Sequence, residues 1–518
     1  MTVALISINT YSTDIEYLGI ASIASYLREK GEIVHIYDFS VNTPIDKIIE
    51  KIGDDYQLYG FSLFHTNAER IYQISEALKS YKQSIKIFAG GYLATYSSYN
   101  ILNDCPAMDF IVLGDGEYTL NNVIKTMQNN GDISALASVA TRYDKKVKVA
   151  SCIDITDMPW PARDYIEKIQ KKNKYVMARI STSRGCCADC SFCQCNSYMK
   201  SSKTKRWQGR VISDVFNEIV HIYERYGVRC FSFNDGSIED PGTLGKERLK
   251  QLCNMLINYP VKFHFQCFIR AESFHEEDSE LLQLMRTAGF SHFLIGIESA
   301  NDSELLLYNK KANTVNNENI INLLNKYDID FTIGFILFNP FSTKEALKKN
   351  HDFLTKHNLY YCCALLLEIY YNTSIYNTVK EKNMLKAEYS YLSPNEYLFQ
   401  ETEVKEIFDS IVKKFAEYNI EEIMDDFKNF TYFYYSIRVL YPDIHNTFKD
   451  KVNQLKAIIS NVISMFMGHY YGNGSIKEAE EHFMDFEKSM NEFKLDFMKT
   501  RLKIMNAPPI KNIISNME

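Results

Sequence analysis

No run of 18 or more apolar residues occurs in this 518-residue chain, so no segment is expected to span a membrane. The amino terminus, Met1-Thr2-Val3-Ala4-Leu5-Ile6-Ser7-Ile8, has no basic region ahead of its apolar run, so it reads as a strand and not as a secretory signal. Positive charge is also scarce: 58 Lys and Arg stand against 65 Asp and Glu, a net −7 that argues against a dedicated nucleic-acid surface. The local exception is Lys200-Ser201-Ser202-Lys203-Thr204-Lys205-Arg206, which reads as a solvated loop or a phosphate contact. The 12 cysteines are mostly scattered, and with no export signal a cytoplasmic, reducing compartment is expected. There, clustered cysteines are more often metal ligands than disulfides. Composition is that of an ordinary globular protein, 46% hydrophobic and 24% charged, long enough for about three domains.

What is present is concentrated in Cys186-Cys187-Ala188-Asp189-Cys190-Ser191-Phe192-Cys193. Counted from Cys186 the spacing is C-x3-C-x2-C, and three thiolates so close can hold three irons of a 4Fe–4S cluster, leaving the fourth iron open to a small ligand. The competing reading is a closed zinc site drawn from Cys187, Cys190, Cys193 and Cys195. Zinc motifs usually join two separated pairs, and no C-x2-C or H-x3-H follows downstream.

Two alternating series of strand-like and helix-like segments surround this loop. The first runs from Val3 to Leu113, with Gly/Asp-rich strand ends at Ala89-Gly90-Gly91 and Gly114-Asp115-Gly116-Glu117. Alternation of this kind predicts a parallel sheet covered on both faces, with ligands outside the carboxyl ends of its strands. The second runs from Tyr175 to Ile369 and offers six strands, which suggests a partial β/α barrel with reactive groups at the strand carboxyl ends. Between them, Met158-Pro159-Trp160-Pro161 reads as irregular connector. Beyond about residue 386 the pattern is helical, and Phe430-Thr431-Tyr432-Phe433-Tyr434-Tyr435 reads first as packing against the barrel and second as a substrate pocket.

The cysteine loop resembles that of the radical S-adenosylmethionine (SAM) enzymes, and the first series resembles a cobalamin-binding domain; together they resemble the cobalamin-dependent radical SAM enzymes over about 385 residues. The resemblance implies a doubly wound, Rossmann-like cobalamin domain at 1–125, a connector at 126–172 and a partial (β/α)6 radical SAM barrel at 173–385; residues 386–518 carry no motif of the family and read as a helical domain and candidate substrate region. It makes Cys186, Cys190 and Cys193 the cluster ligands, with Cys186 preferred over Cys187. SAM contacts are implied at Phe192, Asn234, Asp235, Gly236, Arg270, Glu298, Ile336 and Leu337, with Arg270 near the SAM carboxylate, Glu298 near the ribose and Ile336 and Leu337 walling the adenine. Cobalamin contacts are implied at Glu16, Gly19, Ser62, Phe64, His65, Gly90, Gly91, Gly114, Gly116 and Glu117. Asp14-Ile15-Glu16-Tyr17-Leu18-Gly19 departs from the D-x-H-x-x-G signature by a glutamate in place of the histidine, and carboxylates suit harder ions than cobalt. His65 reads first as a hydrogen-bonding loop histidine and second as a group at the lower face of the corrin.

The implied activity is reductive SAM cleavage to a 5′-deoxyadenosyl radical, followed by methylation of an unactivated carbon or phosphorus of a natural-product or peptide substrate. A radical cyclisation or rearrangement with the same cofactors is the alternative, and a corrinoid- or metal-binding protein without turnover is the alternative of another class. An electron donor such as flavodoxin or ferredoxin is implied as partner.

Overall fold

In a computed structural model of the protein, the described residues are all but 11–15, 54, 144–152, 172–175, 204, 388–389, 437, 439–440, 472–474 and 506–518. Asp14, Ile15 and Tyr175, which the sequence reading used, lie outside the described residues.

The first strand, β1 (Thr2–Asn9), is buried along nearly its whole length, as an apolar run in the middle of a parallel sheet must be. It is flanked by β2 (Ile33–Ser40) and β3 (Leu58–Ser62), and the sheet continues through β4 (Lys86–Gly90) and β5 (Phe110–Val112). Alternate residues feed two cores: Ala4, Ile6 and Ile8 on one face, Val3 and Leu5 on the other. This is the doubly wound arrangement that the alternation predicts. A sixth strand, β6 (Val139–Thr141), runs antiparallel to β5 and completes the order β2-β1-β3-β4-β5-β6. It falls in the stretch expected as connector, and three residues are too few to carry a period.

The second sheet is parallel throughout: β7 (Ala178–Ile180), β10 (Cys230–Phe233), β11 (His264–Arg270), β12 (Phe290–Glu298), β13 (Asp330–Phe338) and β14 (Ala364–Leu366) lie side by side in chain order as a partial barrel. Between β7 and β10 a small antiparallel pair, β8 (Ser183–Gly185) with β9 (Trp207–Gly209), brackets the cysteine segment. Burial alternates along the barrel strands. Phe293, Ile295 and Ile297 of β12 are fully buried under the helices, whereas Leu294, Gly296 and Glu298 face the barrel interior and are half-buried. The interior is therefore a chamber rather than a filled core.

The two sheets are joined by buried ion pairs. Arg163, in the connector, reaches Glu16 of the first domain at 2.9 Å, Glu218 of a barrel helix (Ile212–Tyr226) at 2.6 Å and the carbonyl of Arg179 in β7 at 2.9 Å. Glu16 also accepts the Arg179 amide at 3.0 Å. A second clasp joins Arg184 of β8 to Glu117 at 2.6 Å, and Glu117 also accepts the Ser22 hydroxyl at 2.8 Å.

Of the carboxyl-terminal helices, Thr402–Glu417, Ile420–Ser436, Pro442–His469 and Ile476–Met505, the second brings Tyr435 to His292 near the amino end of β12, whereas the first packs Phe408 on Phe338 at the carboxyl end of β13. Tyr435 stacks on His292 of β12 at 4.1 Å, so packing against the barrel is observed for that residue, whereas Tyr434, on His445 at 4.2 Å, and Phe430, edge-on to Phe493 at 4.3 Å, pack within the helical layer. No helix among the described residues is long and apolar enough to cross a membrane.

Burial pushes His264 down to about 3, His445 to about 4 and His292 well below the usual imidazole range, and Arg438 adds to each shift. Asp330, which pairs with Arg438 at 3.3 Å, Lys456 on the Tyr435 hydroxyl, Arg286 near His264, Lys449 near His445 and Asp450 near Tyr434 also act on this layer. Histidines held neutral in the fold but basic when unfolded contribute stability that is complete above about pH 6.5 and is lost as pH falls, at roughly 1.4 kcal/mol per histidine per pH unit. Thermal unfolding followed between pH 7.5 and 4.5 should show the carboxyl-terminal layer weakening across this window; a midpoint independent of pH contradicts the assignment. Arg163→Met leaves the buried Glu16 carboxylate with only the Arg179 amide, while Glu218 keeps Arg210 at 2.6 Å, and should cost about 3 kcal/mol, read as a lower urea midpoint.

Candidate active site

The cysteine segment leaves and rejoins the barrel at one place. Gly185, at φ +92, precedes Cys186, and a Cβ there would stand 2.2 Å from the Arg206 carbonyl oxygen, so only glycine admits the close approach. That carbonyl accepts the Cys186 amide at 2.9 Å, and the Arg206 guanidinium donates to the carbonyls of Cys187 at 3.1 Å and Ala188 at 2.9 Å. Asp240 accepts the Cys187 amide at 2.9 Å, and the Ala188 amide points at Cys186 Sγ at 3.4 Å. On the other side, Ser191 donates its amide and hydroxyl to the carbonyls of Tyr308 and Leu307, and Phe192 meets Tyr308 edge-on at 5.6 Å.

Burial pushes the Cys186 thiol up and the Cys190 thiol up to about 12; Lys310 opposes the Cys190 shift, while Cys193 nearby adds to both. Cys186 and Cys190 thus resist ionisation, and three thiolates so close would repel one another. A polynuclear cation that takes all three removes that penalty, and an amide aimed at a sulfur is the hydrogen bond iron–sulfur sites use. The donor set fits a cluster. Among the described residues no three His, Cys, Asp or Glu side chains converge as the ligands of a single ion would. Cys195 is engaged with the Tyr92 hydroxyl.

Around the loop stand the strand ends. Asn234 and Gly236 face outward at the end of β10, and a Cβ on Gly236 would sit 3.1 Å from Cys186 Cβ. Glu298 ends β12 at φ +65, where the register against β13 shifts, and its carboxylate folds back over two glycines. A Cβ at Gly296 would lie 2.8 Å from Glu298 Oε1, and one at Gly334 would lie 3.3 Å from Oε2. Lys310, buried beside it with Nζ 3.6 Å from Glu298 Oε1, is a site residue that sequence reasoning missed. Its ammonium also acts on Cys190, so it offers a positive charge between the cluster loop and the β12 end. In the sequence it is one of two lysines after a short helix, a pattern that reads as ordinary C-terminal capping.

Several expected contacts are spent elsewhere. Asp235, 3% exposed, accepts the amide and hydroxyl of Thr182 and the hydroxyl of Ser183, so it pins the start of the cysteine segment and does not present to a ligand. Arg270 is held by Asp240 at 2.7 Å, Glu272 at 3.3 Å and Glu239 at 3.8 Å, and another carboxylate would compete with all three. Ile336 packs with Tyr308 and Phe192, but Leu337, the next residue on the strand, points to the opposite face and fills the core beneath the helices. The two cannot wall one adenine together.

On the cobalamin side, Ser62 pairs in register with Gly90, and Gly91 follows at φ +105 with Leu63 close behind it, so the ends of β3 and β4 form one open edge. Phe64 is half-buried near Tyr17, at 6.0 Å. Asn9, ending β1 and 1% exposed, has both side-chain polar atoms without a hydrogen-bond partner, an orphaned amide at the edge where a ligand of this fold sits. It is a second candidate that the sequence did not single out. These residues fit a large cofactor lying on strand ends. His65 hydrogen-bonds through Nε2 to the Tyr96 hydroxyl at 3.2 Å and lies edge-on to Tyr370 at 4.4 Å, and burial lowers it to about 4, so it is a neutral imidazole. Gly114, at φ +70, abuts Ser202 of the helix that follows the cysteines, and Gly116 packs on Ile23. Gly19 is exposed with open space around it. Glu16 and Glu117 are corrections: both carboxylates face the barrel and serve the interdomain clasps, because a buried charge goes to the nearest buried arginine.

The two strand-end surfaces meet. The Tyr96 hydroxyl that holds His65 also donates to Gln194, the residue after Cys193, at 3.0 Å, and Tyr92 lies on Tyr198 at 4.6 Å. Ligands on the first sheet and at the cysteine loop would share one space.

Comparison with known proteins agrees with this geometry. Residues 5–124 match the B12 binding domain family and residues 180–354 the radical SAM superfamily. The anaerobic magnesium-protoporphyrin IX monomethyl ester cyclase of Synechocystis sp. is 25% identical over 385 residues, 71% of this chain and 74% of that protein. An uncharacterized methyltransferase of Pyrococcus horikoshii is 22% identical over 376 residues, 71% of this chain and 79% of that one. The solved structure of the cobalamin-dependent radical SAM enzyme OxsB, with aqua-cobalamin and SAM bound, superposes with a TM-score of 0.74 at 18% identity, covering 100% of this chain and 84% of that one. With a B12-binding domain clasped to a radical SAM barrel, the chain combines the two domains that make up the cobalamin-dependent radical SAM enzymes it resembles.

Proposed function

We propose that this enzyme transfers a methyl group to an unactivated carbon, or to phosphorus, of a small-molecule or peptide substrate. The observation that carries the reading is the hydrogen-bonded contact of the two strand-end surfaces through Tyr96, His65 and Gln194, across which a corrinoid held on the first sheet and SAM held at the cysteine loop would face one chamber. In this family the cluster and SAM supply a 5′-deoxyadenosyl radical and methylcobalamin supplies the methyl group.

The chain's own residues do the rest. Cys186, Cys190 and Cys193 hold the cluster, with the Ala188 amide on Cys186 Sγ. Asn234 and the Gly236 backbone, with the Glu298–Lys310 pair, receive the polar groups of SAM: the carboxylate of Glu298 accepts from ribose hydroxyls, and the Lys310 ammonium takes an anionic end. Phe192 and Ile336 offer an apolar wall. The substrate lies over the interior row of the barrel, where exposed Phe268 stands beside half-buried Gln266 and Arg270 on β11 and Thr332 on β13. That mixture suits a substrate with both an apolar and a hydrogen-bonding part.

A radical cyclisation without methyl transfer is the second reading, favoured by the likeness to the Synechocystis cyclase over 71% of the chain. Mass spectrometry of product formed from methyl-labelled SAM separates the two: label in the product is expected, and an unlabelled product overturns methyl transfer. Cys186→Ala should abolish both iron–sulfur absorbance and 5′-deoxyadenosine formation, whereas Cys187→Ala should retain full iron content. Loss of iron in Cys187→Ala would reassign the ligand set.

A further inference from the structure

Of the short basic runs in this acidic chain, the structure places the one at 200–206 against the cysteine loop. Lys200 is exposed at the end of the helix Gln194–Ser202; Lys203 and Lys205 are exposed beyond it, and Arg206 closes the run with its side chain 53% exposed. Arg206 is a surface cation that hydrogen-bonds the carbonyls of Cys187 and Ala188, and its own carbonyl takes the amide of Cys186. From that guanidinium to a cluster thiol is a path of a few bonds. Among the described residues, Asp189 stands 3.6 Å from Lys200 and 3.9 Å from Arg206, and Asp154 acts on Lys205.

We propose that Lys200, Lys203, Lys205 and Arg206 form the docking surface for an acidic, low-potential one-electron carrier protein, which passes its electron to the cluster through the Arg206–Cys187 edge. The proposal rests on the functional reading above. Reductive cleavage of the SAM carbon–sulfur bond consumes one electron: the carrier is oxidised by one electron, the cluster is reduced, and the electron leaves as part of methionine and the 5′-deoxyadenosyl radical. The carrier must therefore come close to the cluster. A net charge of −7 repels an acidic partner from the surface at large, so a basic patch beside the cluster sets both the encounter rate and the place. The lysines are well suited to this role because exposed pairs such as Lys200–Asp189 add little to stability and leave the charge available.

The test is the triple variant Lys200→Glu, Lys203→Glu, Lys205→Glu in the full-length, cluster-loaded protein, with Arg206 kept because it holds the loop. Stopped-flow bleaching of the cluster absorbance by photoreduced flavodoxin reads docking, bleaching by dithionite reads the intact cluster, and 5′-deoxyadenosine formed with dithionite reads the underlying function. At low salt the flavodoxin rate should fall about 10-fold or more in the variant, a loss typical of removed electrostatic steering. The dithionite rate should equal that of the wild type, and added salt should narrow the difference. An unchanged flavodoxin rate, a wild type that flavodoxin does not bleach, or a parallel fall in both rates overturns the proposal. Absence of 5′-deoxyadenosine while flavodoxin still discriminates wild type from variant counts against the functional reading and leaves the docking surface standing.

Discussion

The arrangement depends on charge buried between two sheets. Arg163 is drawn out of water by Glu16 and Glu218, and Arg184, with its side chain 32% exposed, reaches in to the buried Glu117; each of the buried groups would be costly alone. Their pairing sets how the first sheet addresses the barrel: Glu16 sits at the entrance to the first helix of one domain and binds the backbone of β7 in the other. Arg184 belongs to the strand that leads directly to Cys186, so the second clasp ties a cobalamin-loop residue to the root of the cluster segment. A hydrophobic interface of the same area would join the domains but leave them freer to slide. Paired charges with fixed partners specify one register.

The same arginines explain what could be read in advance and what could not. The alternation of strands and helices located both sheets, and the order of barrel strands follows the chain, so local patterns sufficed. The cysteine spacing is local too. Glu16 and Glu117 were misread because their neighbours in sequence carry the imprint of a cofactor loop, while their partners lie some 147 and 67 positions away. Asp235 and Arg270 fail for the same reason: a carboxylate or guanidinium at a strand end is equally suited to a ligand or to the next loop, and only the fold shows Thr182, Ser183 and Asp240 already there. Leu337 was misassigned by neglect of the two-residue period of a strand. Lys310 and Asn9 carried no signal, since each is defined by what surrounds it in space.

Within the barrel, the two ends have different chemistry. At the amino ends, neutral histidines stack on tyrosines of the helical layer and close the floor. At the carboxyl ends, charge is held in reserve beside thiols that burial keeps protonated. Lys310 belongs to both the thiol and the carboxylate environments, which couples the ionisation of Cys190 to the group that Glu298 receives.

Pairing of β8 with β9 brings together the two ends of the segment 186–206. Backbone hydrogen bonds and the Gly185–Arg206 contact therefore bear part of the loop-closure entropy of that segment. To that extent the span between the ends of the cysteine segment is set by the chain itself, and less of the cluster's binding energy is spent on closing it.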